Sequence, residues 1–203
     1  FLSTPMKQER ERCVMCFEEA EKGKKVALIC SGDAGVYGMA SLMYEVGKQY
    51  PNIELVIIPG ITAACSGAAV LGAPLNHDFC VISLSDLLTP WEKIEKRLEA
   101  AAIGDFSIAI YNPSSHKRYD YLEKACNILL RHIEGERACG YVENIGREGT
   151  KAVTCTLQEL RNAIFRSCSQ WVPSHIILVL PILVLPRQMN VCWVISGIVS
   201  IAA

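Results

Sequence analysis

The chain has 203 residues, of which 51% are hydrophobic and 20% charged, enough apolar material for a core and too much for intrinsic disorder. Its 20 Lys and Arg nearly balance 21 Asp and Glu, and no basic cluster exceeds the short GKKVA and SSHKRYD stretches, so nucleic-acid binding is excluded as a main function. Ten cysteines fall short of a disulfide scaffold and sit mostly in apolar strings, where Cys acts as a small hydrophobe. A reducing cytoplasm is the compartment this implies.

The first residues, FLSTPMKQERERC, lack an initiator Met and any targeting pattern, and they read as the interior of a longer protein. MKQERERCVMCFEEAEKG places Cys13, Cys16, Phe17 and Ala20 on one helical face and stops at Gly23. KVALIC follows as an expected buried strand. SGDAGVYGMA is a glycine loop, MASLMYEVGKQY a helix, IELVIIPG a second buried strand and TAACSGAAVLG a helix of small residues. Apolar strands without alternation, separated by helices, imply a parallel sheet covered on both faces.

LGAPLNHD is a break, after which a second α/β stretch begins with NHDFCVISLS. The helix in LLTPWEKIEKRLEAAA is expected to start with Thr89 as N-cap, Pro90 at the first helical position and Glu92 closing a capping box. FSIAIY reads as a strand. KRYDYLEKACNILLRHI puts Leu122, Cys126, Leu129, Leu130 and Ile133 on one face, and Thr156 with Glu159 forms the box of a shorter helix. From Ile164 the texture changes: no acidic residue and no helical period occur up to Ala203. Its two apolar runs, interrupted by Pro186, Arg187 and Asn190, both fall short of the ~20 residues of a membrane span, which disfavours a membrane anchor.

Gly32, Gly35 and Gly38 are spaced G-x-x-G-x-x-G, which misses the dinucleotide fingerprint. The loop still follows a strand, the edge where α/β proteins bind ligands, and Asp33 is either a ligand acceptor or a cap of a tight turn. PGITAACSG repeats this logic around Thr62 and Ala63. Tyr111-Asn112-Pro113 and VENIGREGT, with Asn144 and Arg147, supply a third and a fourth loop. Cys13-x-x-Cys16 has no second pair at zinc spacing; His77, His116, His132 and His175 form no ligand motif, so no metal is expected. Ser66 lies outside G-x-S-x-G, which disfavours a hydrolase elbow.

SGDAGVYGMA, PGITAA, ISLSDLLTPWEKIEKRLEAAA, YNPSSHKR and ENIGREGT, in this order from about Ser3 to Ala163, resemble the tetrapyrrole methylases. SDLLTPWE and YNPSS are similar to one branch, which acts on precorrin-3B or cobalt-factor III; a diphthamide-type methylase is opposed by them. The resemblance implies an α/β fold of two domains with the active site in the trough between them, usually in a homodimer, and S-adenosylmethionine as cofactor. It implies a partial N-terminal domain over residues 1–76, a C-terminal domain over 77–163 and an unmatched tail over 164–203, whose abrupt onset fits a frame change or unrelated sequence.

Carried over residue by residue, the cofactor contacts are Ser31, Gly32, Asp33 and Val36, then Thr62 and Ala63, then Asn112 and Asn144. The implied reaction is methylation at carbon 17 of a tetrapyrrole with ring contraction, on the path to cobalamin. Lys117, Arg118 and Arg147 flank the third and fourth loops and are the candidates for the substrate's carboxylates; no general acid or base is assigned. The family's glycine-rich first loop lies upstream of Phe1, so a catalytically impaired fragment that serves only as a binding or interaction module is the rival expectation.

Overall fold

The computed structural model describes residues 2–5, 8–113, 119–162 and 176–179. Helix α1 (Glu9–Glu21) and helix α2 (Ala40–Gly47) pair through Cys13, Phe17, Met43 and Val46, all buried. The Phe17 ring stacks on Tyr50 with centroids 4.9 Å apart. This small core is the one the helical spacing of α1 predicts.

The two expected strands between and after these helices are not formed. Lys24–Cys30 and Glu54–Ile58 make no backbone–backbone hydrogen bond among the described residues. Leu28, Ile53 and Leu55 pack toward the helices, whereas Val26, Ile29, Val56 and Ile58 are 42, 81, 68 and 79% exposed. An apolar run becomes a strand only when a neighbouring backbone takes up its donors and acceptors. Here no described segment does so, and the two stretches instead form walls of a cleft of about 520 Å³ floored by Phe17, Met39 and Met43.

Helix α3 (Ala63–Val70) follows, then strand β1 (Phe79–Ser83), helix α4 (Trp91–Ile103), strand β2 (Ser107–Tyr111) and helix α5 (Tyr121–Leu129). Strands β3 (Ala138–Glu143) and β4 (Lys151–Thr156), helix α6 (Leu157–Asn162) and strand β5 (Ile176–Val179) complete the order. The five strands form one sheet in the order β1-β2-β5-β3-β4. β1 and β2 are parallel, with Val81 opposite Ala109; β5 is antiparallel to both β2 and β3, so β1, β2 and β3 all point the same way. β5 lies in the stretch set apart by composition, where the sequence reading assigned no element.

Both faces of the sheet are covered at β2, whose residues Ser107 to Ile110 are all buried. Ile108 and Ile110 of β2 face the cluster formed with Leu98 of α4 and Leu122, Cys126 and Leu129 of α5. Ala109 points the other way, onto Ala64 and Ala68 of α3 and Val142 of β3. The small side chains of α3 let it lie close against the sheet.

The helix starts follow local chemistry with one correction. At α6 the Thr156 N–H donates to Glu159 Oε2 at 2.8 Å and the Glu159 N–H donates to Thr156 Oγ1 at 3.1 Å, a complete capping box. At α4 the N-cap is Pro90, one residue later than expected, and no side chain caps it. With Pro90 at φ −56° and ψ 144° the chain is still extended there, so Thr89 stands one residue too early for its hydroxyl to serve the first turn.

Candidate active site

Because β1, β2 and β3 are parallel, Ser83, Tyr111 and Glu143 end at one edge of the sheet, the edge at which parallel sheets present ligand-binding loops. The third and fourth candidate loops leave from there. The first two are brought to the same place by side-chain bonds rather than by a ladder.

Asp33 makes the first of these ties. Its Oδ1 accepts the Gly35 N–H at 2.7 Å and its Oδ2 accepts the Gly60 N–H at 2.8 Å. The Gly60 bond, then the Gly35 bond, hold its carboxyl below the usual carboxylate range. Asp33 therefore clips the first loop to the second as well as closing its own turn. Gly60 is required by the close approach: a Cβ there would run into the Gly32 carbonyl oxygen, and Gly32 itself has φ +76°.

The second loop is tied to the third. Tyr111 Oη lies 2.5 Å from Thr62 Oγ1 and accepts the Ala64 N–H at 2.8 Å. The Tyr37 ring of the first loop tilts against Tyr111 at a centroid distance of 5.2 Å, and its hydroxyl donates to the Val81 carbonyl at 3.3 Å. Asn112 Nδ2 donates to Ser83 Oγ at 2.9 Å, which fixes the end of β1 to the third loop. Ile145 of the fourth loop packs on the same cluster as Ala63 and Tyr111.

Ser31, Gly32 and Asn112 are exposed at this edge, and Asp33, Val36, Thr62, Ala63 and Asn144 are half-buried. Arg147 is exposed in the fourth loop, whose turn is closed by Thr150 Oγ1 donating to the carbonyls of Asn144 at 2.8 Å and Arg147 at 2.7 Å. Lys117 and Arg118 lie outside the described residues, as do His116 and His175. No group of three or more His, Cys, Asp or Glu could hold a metal among the described residues. Cys13 and Cys16 belong to the α1 face, and burial pushes both thiols up.

Among the described residues, three of the five non-glycine residues with left-handed backbone stand in these loops: Tyr37, Asn112 and Asn144, each at φ 53°. Asn tolerates this conformation and a bulky aromatic does not, so Tyr37 is held there against its preference. Strain of this kind persists where surrounding contacts over-determine it and gathers at functional sites. Sequence reasoning missed Tyr37 and Tyr111. A tyrosine between Gly35 and Gly38 was the available signal for the first, while Tyr111 reads as an ordinary strand end.

A sequence model of the tetrapyrrole (corrin/porphyrin) methylases matches residues 3–161. The chain belongs to the tetrapyrrole methylase family. A cobalt-factor III methyltransferase of Priestia megaterium is 48% identical over 166 residues, covering 79% of this chain and 31% of that protein. A probable cobalt-factor III C(17)-methyltransferase of Salmonella typhimurium is 48% identical over 160 residues, covering 78% of this chain and 66% of that one. The chain thus spans between about a third and just under two thirds of these relatives.

Among solved structures, the methyltransferase CobJ superposes with a TM-score of 0.79 at 34% identity, covering 92% of this chain and 76% of that one. A uroporphyrin-III C-methyltransferase from Thermus thermophilus, complexed with S-adenyl homocysteine, shares the fold at a TM-score of 0.61 and 18% identity, over 85% of this chain and 74% of that one. The mixed α/β architecture is that of the tetrapyrrole methylases. No helix among the described residues is long and apolar enough to cross a membrane.

Proposed function

We propose that this tetrapyrrole methylase chain carries the cofactor-binding face of an S-adenosylmethionine-dependent methyltransferase that acts at carbon 17 of a cobalt-factor III or precorrin-3B type tetrapyrrole. The observation that carries the reading is the convergence of four loops at one sheet edge, the first three tied together through Asp33 and Tyr111 and the fourth packed beside them through Ile145. The 48% identity to proteins named for that reaction supports the substrate class. Ser31, Gly32, Asp33, Val36, Thr62, Ala63, Asn112 and Asn144 are the proposed cofactor contacts. Their hydroxyl, amide and backbone groups, with the Asp33 carboxylate beside them, suit a ligand that combines an amino acid, a ribose and an adenine.

S-adenosylmethionine held by these residues would supply an electrophilic methyl for a ring carbon, its sulfur keeping the electron pair of the broken bond. What the chain contributes is alignment, which supplies a large part of the rate of such a transfer. Asp33 and Tyr111 hold the loops in register, and α3 fixes Thr62 and Ala63 beside them. Arg147, with Lys117 and Arg118, is proposed to meet the carboxylates of the tetrapyrrole. The site is proposed to lie in a trough between residues 1–76 and 77–163, in a cytoplasmic homodimer, with ring contraction accompanying methylation.

Calorimetric titration of the chain with S-adenosylhomocysteine tests the cofactor reading. Saturable binding with a Kd of about 1 to 100 μM, a free energy of roughly −8 to −5 kcal/mol, is expected; absence of binding at millimolar ligand rejects it. Mass analysis of a cobalt-containing and a metal-free tetrapyrrole after incubation with the methyl donor then identifies the substrate.

A further inference from the structure

We propose that Tyr111 is a positioning residue for the cofactor site, and that with Tyr37 it forms a two-way latch joining the loops before residue 76 to the sheet after residue 77. The inference rests on the reading that Thr62 and Ala63 contact the cofactor. It begins with an oddity at the start of α3. Thr62 is the N-cap, and threonine is a good capping residue, yet its side chain makes no cap bond. The first N–H groups of a helix have no partner within it. Here the Tyr111 phenol, supplied from the end of β2, takes up the Ala64 N–H at 2.8 Å and holds Thr62 Oγ1 at 2.5 Å.

The cap is therefore borrowed from the other side of the boundary. It holds the start of α3 at two points, Thr62 Oγ1 and the N–H of the fully buried Ala64, on either side of Ala63. Tyr37 makes the reciprocal crossing: it leaves the first loop, rests its ring on Tyr111 and donates to the Val81 carbonyl of β1. The residue is 55% exposed and its φ is 53°, so neither burial nor backbone preference explains its place. The two crossing contacts do. β1 and β2 are neighbours, with Val81 beside Ala109, so the two phenols grip adjacent strands of a rigid sheet. Movement of either loop relative to the sheet breaks at least one phenol bond.

Binding of S-adenosylhomocysteine to the full chain separates this role from simple packing. Tyr111→Phe keeps the ring and its contact with Tyr37 but removes the acceptor for Ala64 and the partner of Thr62. The expected result is an affinity about tenfold weaker, the size set by one buried donor left without a partner, with far-ultraviolet dichroism retained. Tyr37→Phe, which deletes one bond at a part-exposed site, weakens binding by about threefold. Thr62→Val combined with Tyr111→Phe is less than additive, because the two hydroxyls share one bond.

A Tyr111→Phe chain that is folded and binds with unaltered affinity overturns the latch while leaving the proposed function standing. Should Tyr111→Phe fail to fold, Tyr37→Phe decides: unaltered affinity in that variant also overturns it. Failure of the unsubstituted chain to bind rejects the functional reading and, with it, any cofactor-positioning role for Tyr111.

Discussion

VALIC and ELVII in the first third of the chain and SIAIY in the middle have the same apolar texture, yet they have opposite fates. Ile108 and Ile110 of β2 are fully buried, with one neighbour strand on each side and α4 and α5 against the face they point to. Ile29 and Ile58 are 81 and 79% exposed, and their backbones are unpaired among the described residues. The difference does not lie in the side chains. A strand is a relation between segments, and the run of β-branched residues states only that a segment is fit for one. Where the ladder is present it positions the ends of β1, β2 and β3 by itself. Where it is absent, Asp33 and Tyr111 bring the first two loops to the same edge by individual side-chain bonds.

The largest effect expected from this contrast is in amide exchange. Amides of residues 25–30 and 54–58 should exchange faster than those of Ile108 and Ile110 by about a thousandfold or more, since sheet-centre amides open only with most of the fold. Mass-resolved hydrogen exchange checks this, and protection in VALIC equal to that in SIAIY would break the comparison. Truncation gives the same contrast in equilibrium terms. Ile110→Ala should cost about 2–5 kcal/mol in urea unfolding, while Ile58→Ala should stay within about 0.5 kcal/mol. Similar losses at both positions would mean that residues 54–58 are covered in solution.

A smaller contrast concerns the two capping boxes. Thr156→Ala should cost about 1 kcal/mol, because its hydroxyl and the Glu159 carboxylate exchange bonds with the first turn of α6. Thr89→Ala, at a box of the same spelling, should leave urea unfolding unchanged because Pro90 already occupies the N-cap of α4. Equal losses in the two variants would restore Thr89 as the cap.

These cases show which parts of the fold a sequence exposes. Helical periodicity and the reciprocal bonds of a capping box are decided within four residues, so α1, α5 and α6 are legible in Cys13 and Phe17, in Leu122, Cys126 and Leu129, and in Thr156 with Glu159. β5 is four residues in a proline-flanked apolar run with no period, and only its two antiparallel neighbours make it a strand. The candidate loops were legible in glycines after strands and in strings shared with the tetrapyrrole methylases. Tyr37 and Tyr111 were not, because the partners that give them meaning, Val81, Thr62 and Ala64, lie 44, 49 and 47 residues away in sequence.

Asp33 sharpens the contrast at its weakest link. Its carboxyl is held below the ordinary range by the Gly60 N–H and then the Gly35 N–H, so the bonds favour the charged form in the folded chain. A folded pKa depressed below the unfolded value of about 3.9 makes this contribution complete above that value and lost as pH falls through the lower folded one. On the proposed function, affinity for S-adenosylhomocysteine should be flat with respect to this group from neutral pH to about pH 5 and acquire an acid limb below about pH 4. Asn at this position has one carbonyl oxygen for two N–H donors and no charge. Asp33→Asn should therefore bind about threefold more weakly at neutral pH, a neutral acceptor being roughly half as strong as an ionised one, and should lack the acid limb of the unsubstituted chain. If the limb persists in Asp33→Asn, another carboxylate produces it, and the charge of Asp33 does not govern cofactor affinity.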